Sequence, residues 1–208
     1  MRLLPPRLPR SLLCPIGILG AFALTFAAGC GGGGSGDTTT RPAGSAKFSS
    51  VDSRPITECI KDNATGLVWE VKSSSGLRSG SATYTHFDST VVPQLRSGTG
   101  YVPATQAQVD APTNSIGYRN AINAAALCGY TNWRLPSRDE LKGLVEPKAS
   151  PTAATIDTVW FPNTPSFVYW TASPFEGNAS YAWLIDFFDG EAVVSFDRNA
   201  GAHIRLVR

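Results

Sequence analysis

Histidine is nearly missing from this sequence: His86 and His203 are the only two in 208 residues. Neither has metal-ligand spacing to a cysteine, and no triad signature stands beside either, so hydrolysis by a Ser-His-Asp site has little to rest on. Methionine is confined to Met1, and no acid precedes Asp37. No run of Lys or Arg occurs after the first residues, which argues against a nucleic-acid surface. Cysteine is scarce as well, with Cys14, Cys30, Cys59 and Cys128 the full set.

What is present begins with an export pattern. Arg2, Arg7 and Arg10 precede an apolar run from Leu12 to Ala28, and Ala27-Ala28-Gly29 leads into Cys30. A basic head, an apolar middle and small residues at the cut describe a signal peptide over residues 1–29. With Cys30 directly after the small residues, the segment resembles the lipobox of bacterial lipoproteins, although Ala27 stands where Leu is usual. The resemblance implies lipidation at Cys30 and attachment to the membrane through that lipid. An unlipidated secretory signal and a signal-anchor are the competing readings; Pro15, Gly17 and Gly20 interrupt the run a spanning helix would need. Gly31, where Asp would retain a lipoprotein at the inner membrane, implies the outer membrane if the cell has two. The expected address is the cell envelope, periplasmic or surface-exposed.

Losing residues 1–29 removes three arginines, so 18 basic residues become 15 against 16 acids. The mature chain is close to neutral, and the basic balance belongs to the signal. Residues 30–55, rich in Gly, Ser and Thr, read as a flexible tether of roughly 25–30 Å root-mean-square reach. The remainder, 56–208, is one domain of ordinary size. Cys59 and Cys128 are then an even pair in an exported protein, which reads as a disulfide. The rival, two ligands of a metal site, lacks companions, and the sequence calls for no metal and no cofactor.

Along the domain, Asp62-Asn63-Ala64-Thr65-Gly66 is a turn and Leu67 to Val71 a strand. Residues 73–112 read as a loop insertion with short strands. Ser115 to Leu127 has helical spacing, with Gly129 as its stop. Ser137 with Glu140 is a capping box for a second helix, whose buried face is Leu141, Leu144 and Val145. Strands are expected at 167–173, 181–187, 191–196 and 203–207, with Asp189-Gly190 as a hairpin turn. Strand, two helices, then antiparallel strands is an α+β order, two helices packed on one mainly antiparallel sheet.

Several motifs in this order resemble the Lcl C-terminal domain family. They are Asp62-x-x-Thr65-Gly66-Leu67-x-Trp69, Trp133-Arg134-Leu135-Pro136-Ser137 with Glu140-Leu141, Tyr169-Trp170-Thr171-Ala172-Ser173, Ala182-Trp183, and Ile204-Arg205-Leu206-Val207-Arg208. The likeness spans Cys59 to the last residue. It implies a variant of the C-type lectin fold, by kinship with the end of a collagen-like adhesin, although this chain has no Gly-X-Y repeat. The wider lectin-like group includes the formylglycine-generating enzyme, which works through reactive cysteines. A disulfide would take both domain cysteines out of such chemistry, so no catalytic residue is expected. Neither the Glu-Pro-Asn loop nor the Trp-Asn-Asp strand of calcium-dependent lectins occurs; Glu146-Pro147-Lys148 comes nearest, with Lys in place of the amide.

Binding is the favoured reading. In lectin-like folds the late loops carry ligands on a rigid sheet. Here they offer Glu176, Asn178, Tyr181, Asp189, Arg198 and Asn199 for a glycan or a surface protein. The alternative is an envelope-assembly component whose partner is another membrane protein. Trp69, Trp133, Trp170 and Trp183 are expected in the core, and Asp62 and Thr65 are expected to bond their own turn.

Overall fold

The turn at Asp62 to Gly66 organises the first sheet. Gly66 takes a φ of +77°, open to glycine at little cost, and its N–H donates to Asp62 O at 2.8 Å. The Asp62 carboxylate accepts from Ala64 N–H, and the Thr65 hydroxyl from Leu67 N–H. Strands β2 (Cys59–Asp62) and β3 (Val68–Glu70) leave this turn antiparallel, with Ile60 opposite Trp69. The computed structural model describes residues 47–88 and 93–208. The expected signal peptide, Cys30 and tether residues 31–46 lie outside the described residues.

The tether was expected to run to residue 55, yet β1 (Phe48–Ser50) pairs with β2. Phe48 is buried with its ring 5.2 Å from Phe161 and 6.0 Å from Trp160. One aromatic ring finding two others far along the chain holds this strand, and local composition cannot register such partners.

The insertion has the short strands expected of it and a helix besides. It holds a hairpin of β4 (Leu95–Ser97) and β5 (Gly100–Val102), then a one-turn helix α1 (Gln106–Val109) capped by Thr105 and Gln108. Helix α2 (Ser115–Ala124) stops before Leu127, because Ala126 turns left-handed at φ +47°, followed by Cys128 at +54°. Gly129 lies beyond the actual break. Cys128 bonds Cys59 in a disulfide closing a separation of 69 residues. Helix α3 (Arg138–Lys142) has the expected Ser137–Glu140 box; Leu141 and Leu144 are buried and Val145 half-buried.

Among the described residues three small sheets stand in place of the single expected one. The last contains β6 (Val168–Pro174), β7 (Ala182–Asp186) and β8 (Ala192–Val193), all antiparallel. The strand expected over 191–196 shrinks to two residues. Residues 203–207 form no strand of their own but run as a seam. His203 bridges Tyr169 of β6, and Val207 bridges both Trp69 of β3 and Arg134. The overall class is therefore α+β, with short helices and antiparallel sheets.

The seam has a core on each side. Alternation along the extended segments sends Val168, Trp170, Leu184 and Leu206 to one cluster, and Tyr169, Ile185 and Val207 to the other. Segments covered on both faces read as continuous apolar runs. Between them sit buried charges. Lys72 Nζ donates to Glu70 Oε1 and to the Tyr118 hydroxyl, each at 2.9 Å, and Tyr118 donates to the same carboxylate. Leu206 N–H donates to Glu70 Oε2 at 3.0 Å, and Arg205 Nη1 to Glu70 O at 2.5 Å. Burial outweighs the attraction of Glu70 and lowers Lys72 to about 8. Among the described residues no helix is long and apolar enough to cross a membrane.

Candidate functional site

Strand β7 separates the late loops into two ends. The β6–β7 connection, with Glu176, Asn178 and Tyr181, lies before its first residue; the β7–β8 turn, with Asp189, follows its last. At about 3.3 Å per residue these ends stand roughly 15–20 Å apart. The six expected ligand residues thus do not form one patch.

At the first end, the 197–199 segment joins the β6–β7 loop through an antiparallel bridge between Tyr181 and Asp197. The insertion then supplies a residue the sequence reading passed over. The Tyr101 hydroxyl on β5 donates to Asp197 Oδ2 at 3.3 Å and shares a hydrogen bond with the Tyr181 hydroxyl. That bond to Tyr181, ahead of desolvation and the Asp197 charge, pushes Tyr101 up to about 12. All three side chains are half-buried, with one side toward solvent.

The loop continues into an aromatic flank. Phe175 N–H donates to Tyr181 O, and the Phe175 ring meets Trp183 edge-on at 5.7 Å. Trp183 is half-buried, unlike Trp69, Trp133 and Trp170, which lie in the core as expected. Its indole N–H donates to Glu176 Oε2 at 3.3 Å, and the Arg138 guanidinium sits 5.0 Å from its ring. The Glu176 backbone N–H, followed by this indole, holds the carboxyl below its usual range. Trp183 is hard to identify from sequence because it lies in an apolar strand whose neighbours are core.

Arg198 has a different place from the one expected. It is buried, donating from Nε to Ala179 O and from Nη1 to His86 O, each at 3.0 Å, with Asp88 at 3.4 Å. Those bonds make it a strut under the loops rather than a group facing a ligand. His86 completes the floor: its ring stacks on Trp170 at 5.2 Å and its Nδ1 bonds the Ser115 hydroxyl at 2.7 Å. Burial, aided by Arg198, lowers His86 to about 3. His203 is also lowered by burial, and its Nδ1 donates to Ala82 O. Both imidazoles are neutral framework groups at pH 7. Asn178 Oδ1 accepts from Ser180 N–H and Asp197 Oδ1 from Asn199 N–H, so each amide or acid stabilises its own turn. Asn178 and Asn199 remain exposed. At the far end Asp189 is exposed and accepts from Glu191 N–H.

The motif residues mostly define the scaffold. Arg134 pairs with Glu140 through two bonds of 2.6 and 2.7 Å, and this arginine leads the effects that lower Glu140 to about 2. Among the described residues no three His, Cys, Asp or Glu side chains are grouped to hold a metal.

The family model for the Lcl C-terminal domain matches residues 58–208. No curated protein and no solved structure matches the chain. The matched span is most of the chain, which belongs to the Lcl C-terminal domain family.

Proposed function

We propose that this family member is an exported binding protein, lipid-anchored at Cys30 in the cell envelope, whose C-type-lectin-like domain takes a glycan or surface protein without catalysis. The observation that carries the reading is the composite surface of Tyr101, Tyr181 and Asp197 flanked by Phe175 and Trp183. Two phenol hydroxyls and a carboxylate offer donors and acceptors at fixed positions, while half-covered aromatic rings offer apolar faces. Such a pairing suits a sugar or a protein patch. The floor beneath is rigid, because Arg198, His86 and Trp170 hold the loops from within. A held surface loses little freedom on binding.

Two observations support a role without turnover. Neither histidine is poised as a base near pH 7, and the domain's two cysteines are joined to each other. The export signal and lipidation at Cys30 rest on the pattern of the first thirty residues, and Gly31 favours the outer membrane as destination. The folded part begins by Lys47, so at most residues 31–46 remain for the tether. Partners are accordingly a membrane through the lipid and a ligand at the loops, with no nucleic acid and no cofactor.

The test is a glycan array and an envelope-protein pull-down with the mature chain beside its Tyr181→Ala and Tyr101→Ala variants. A saturable interaction weakened about tenfold or more by either change, equivalent to 1.4 kcal/mol, is expected. Binding untouched by both changes would remove the site from this surface.

A further inference from the structure

Two arginines without a counter-ion share a cleft that has no residue in common with the Tyr101–Tyr181 surface. The cleft, about 460 Å³, lies between the loop over residues 73–78 and the end of α2, with Arg54, Glu58 and Arg78 in its lining. Arg78 is held in place, its Nη1 donating to Val71 O at 2.6 Å and to Thr57 O at 3.2 Å. Its Nε and Nη2 bond nothing among the described residues. The Arg54 side chain is exposed and forms no hydrogen bond or ion pair among those residues. It lies across Gly129, where a Cβ would stand 2.9 Å from the Arg54 Nη2. Glu58 forms an ion pair with neither arginine; its Oε2 sits 3.9 Å from Cys128 Sγ.

The charge behind the cleft is positive as well. Arg78 and Arg205 both act against the charge of buried Lys72, and Glu70 is the carboxylate paired with it. Arg54, Arg78, Lys72 and Arg205 thus stand against Glu58 and Glu70 alone, an excess of cations around the cleft. An excess of one sign in a cleft concentrates ligands of the other. The rest of the wall is apolar: Leu77, 51% exposed, with Ile122 and Ala125 of α2 and Leu127 just after it.

We propose that this cleft binds a carboxylate carried on a compact aliphatic group, with Arg78 and Arg54 on the acid and Leu77 and Ile122 on the aliphatic part. A guanidinium presents parallel donors that match the two oxygens of a carboxylate. Arg78 is already oriented by the carbonyls it bonds, so it loses little freedom when an acid arrives. Glu58 in the lining favours a single negative charge over a dianion such as phosphate, and bare ions gain nothing from the apolar wall. The volume lies in the range of small-molecule sites. A peptide chain end and a free aliphatic acid both offer this chemistry. The site depends neither on the lipid anchor nor on the Tyr101–Tyr181 surface.

The test is an NMR titration of the isotope-labelled mature chain with N-acetyl-leucine, N-acetyl-leucinamide, octanoate and inorganic phosphate. Saturating shifts at Leu77, Arg78 and Ile122 with N-acetyl-leucine or octanoate are expected, weakening in salt. The amide should bind at least about tenfold more weakly than its acid. The tighter of the two acids identifies the source, a chain end or an aliphatic acid. Arg78→Gln and Arg54→Gln should each weaken the acid several-fold. Arg54 makes no internal side-chain bond, so its variant reads binding with the fold intact. Acid and amide binding alike, phosphate binding as tightly as either acid, or affinity unmoved by both substitutions overturns the site.

Discussion

Glu70 has no exposed surface, yet it holds a lysine, a tyrosine hydroxyl and a backbone N–H from the last residues of the chain. Removing its charge leaves Lys72 buried without a counter-ion. Glu70→Gln is expected to lose about 3–5 kcal/mol of unfolding free energy in urea titration, a large part of a typical domain's 5–15 kcal/mol. Adding Lys72→Met should recover much of that loss, since the orphaned charge is then gone; a double variant as weak as the single would contradict the pairing. His86 gives a pH signature at the same scale. The unfolded chain binds a proton as pH falls through 6.5, while the folded imidazole waits until about 3. Stability therefore falls from pH 6.5 downward, with a slope approaching about 1.4 kcal/mol per pH unit from this residue. Glu140 adds its own loss only below about 4.5, where its unfolded carboxyl begins to protonate. Denaturation between pH 6.5 and 5 isolates the two histidines from Glu140, and His86→Gln should reduce the slope without abolishing it, because His203 is lowered by burial too. Side chains at this scale were partly legible. Asp62 and Thr65 bond their turn as their types require, whereas Arg198 looks in sequence like any polar loop residue. Only the approach of Ala179 O and His86 O shows that it is a strut.

Elements were legible where a local signal suffices. Ser137 with Glu140 marks a helix start, and Asp189-Gly190 marks a hairpin, because caps and turns are decided within four residues. Gly190 shows how demanding that turn is. Its φ is +81°, and a Cβ there would stand 2.6 Å from Val145 Cγ1. Gly190→Ala is expected to cost about 1–3 kcal/mol through backbone strain and overpacking, seen as a lower urea midpoint with an unchanged slope. Thr105-x-x-Gln108 is the same kind of signal as Ser137-x-x-Glu140, and it predicts helix α1 inside the presumed loop. The apolar spacing of α2 ran past its real end, because nothing local announces that Ala126 and Cys128 turn left-handed. The disulfide fixes that segment to β2. Under the chain-entropy model its 69-residue separation is worth roughly 4 kcal/mol. Reduction should lower the thermal midpoint by more than 10 °C in a domain this size; a smaller shift would mean that packing alone holds the Cys128 turn.

The whole molecule is joined by its last residues. Residues 202–208 touch the Tyr84 segment, then β6, then β3 and Arg134, tying two of the sheets together with a core on each side. The apolar pattern of 203–207 read as a strand because a seam buried on both faces has a strand's composition. Its partners change along its length, so no regular ladder forms. The insertion was the least legible part. Nothing in a Ser- and Gly-rich stretch says that Tyr101 returns to meet Tyr181 and Asp197. With it in place β7 separates two ends of the described domain, one carrying the phenols and Trp183, the other the exposed Phe188, while Val159 is exposed beside Pro147. The measurement that separates them most directly is the affinity of the protein for a ligand recovered by array or pull-down, compared across two double variants. Tyr101→Ala with Tyr181→Ala should weaken binding at least about tenfold, while Val159→Ala with Phe188→Ala should leave it unchanged. The reverse pattern would contradict a recognition surface built from the insertion hairpin and the late loops.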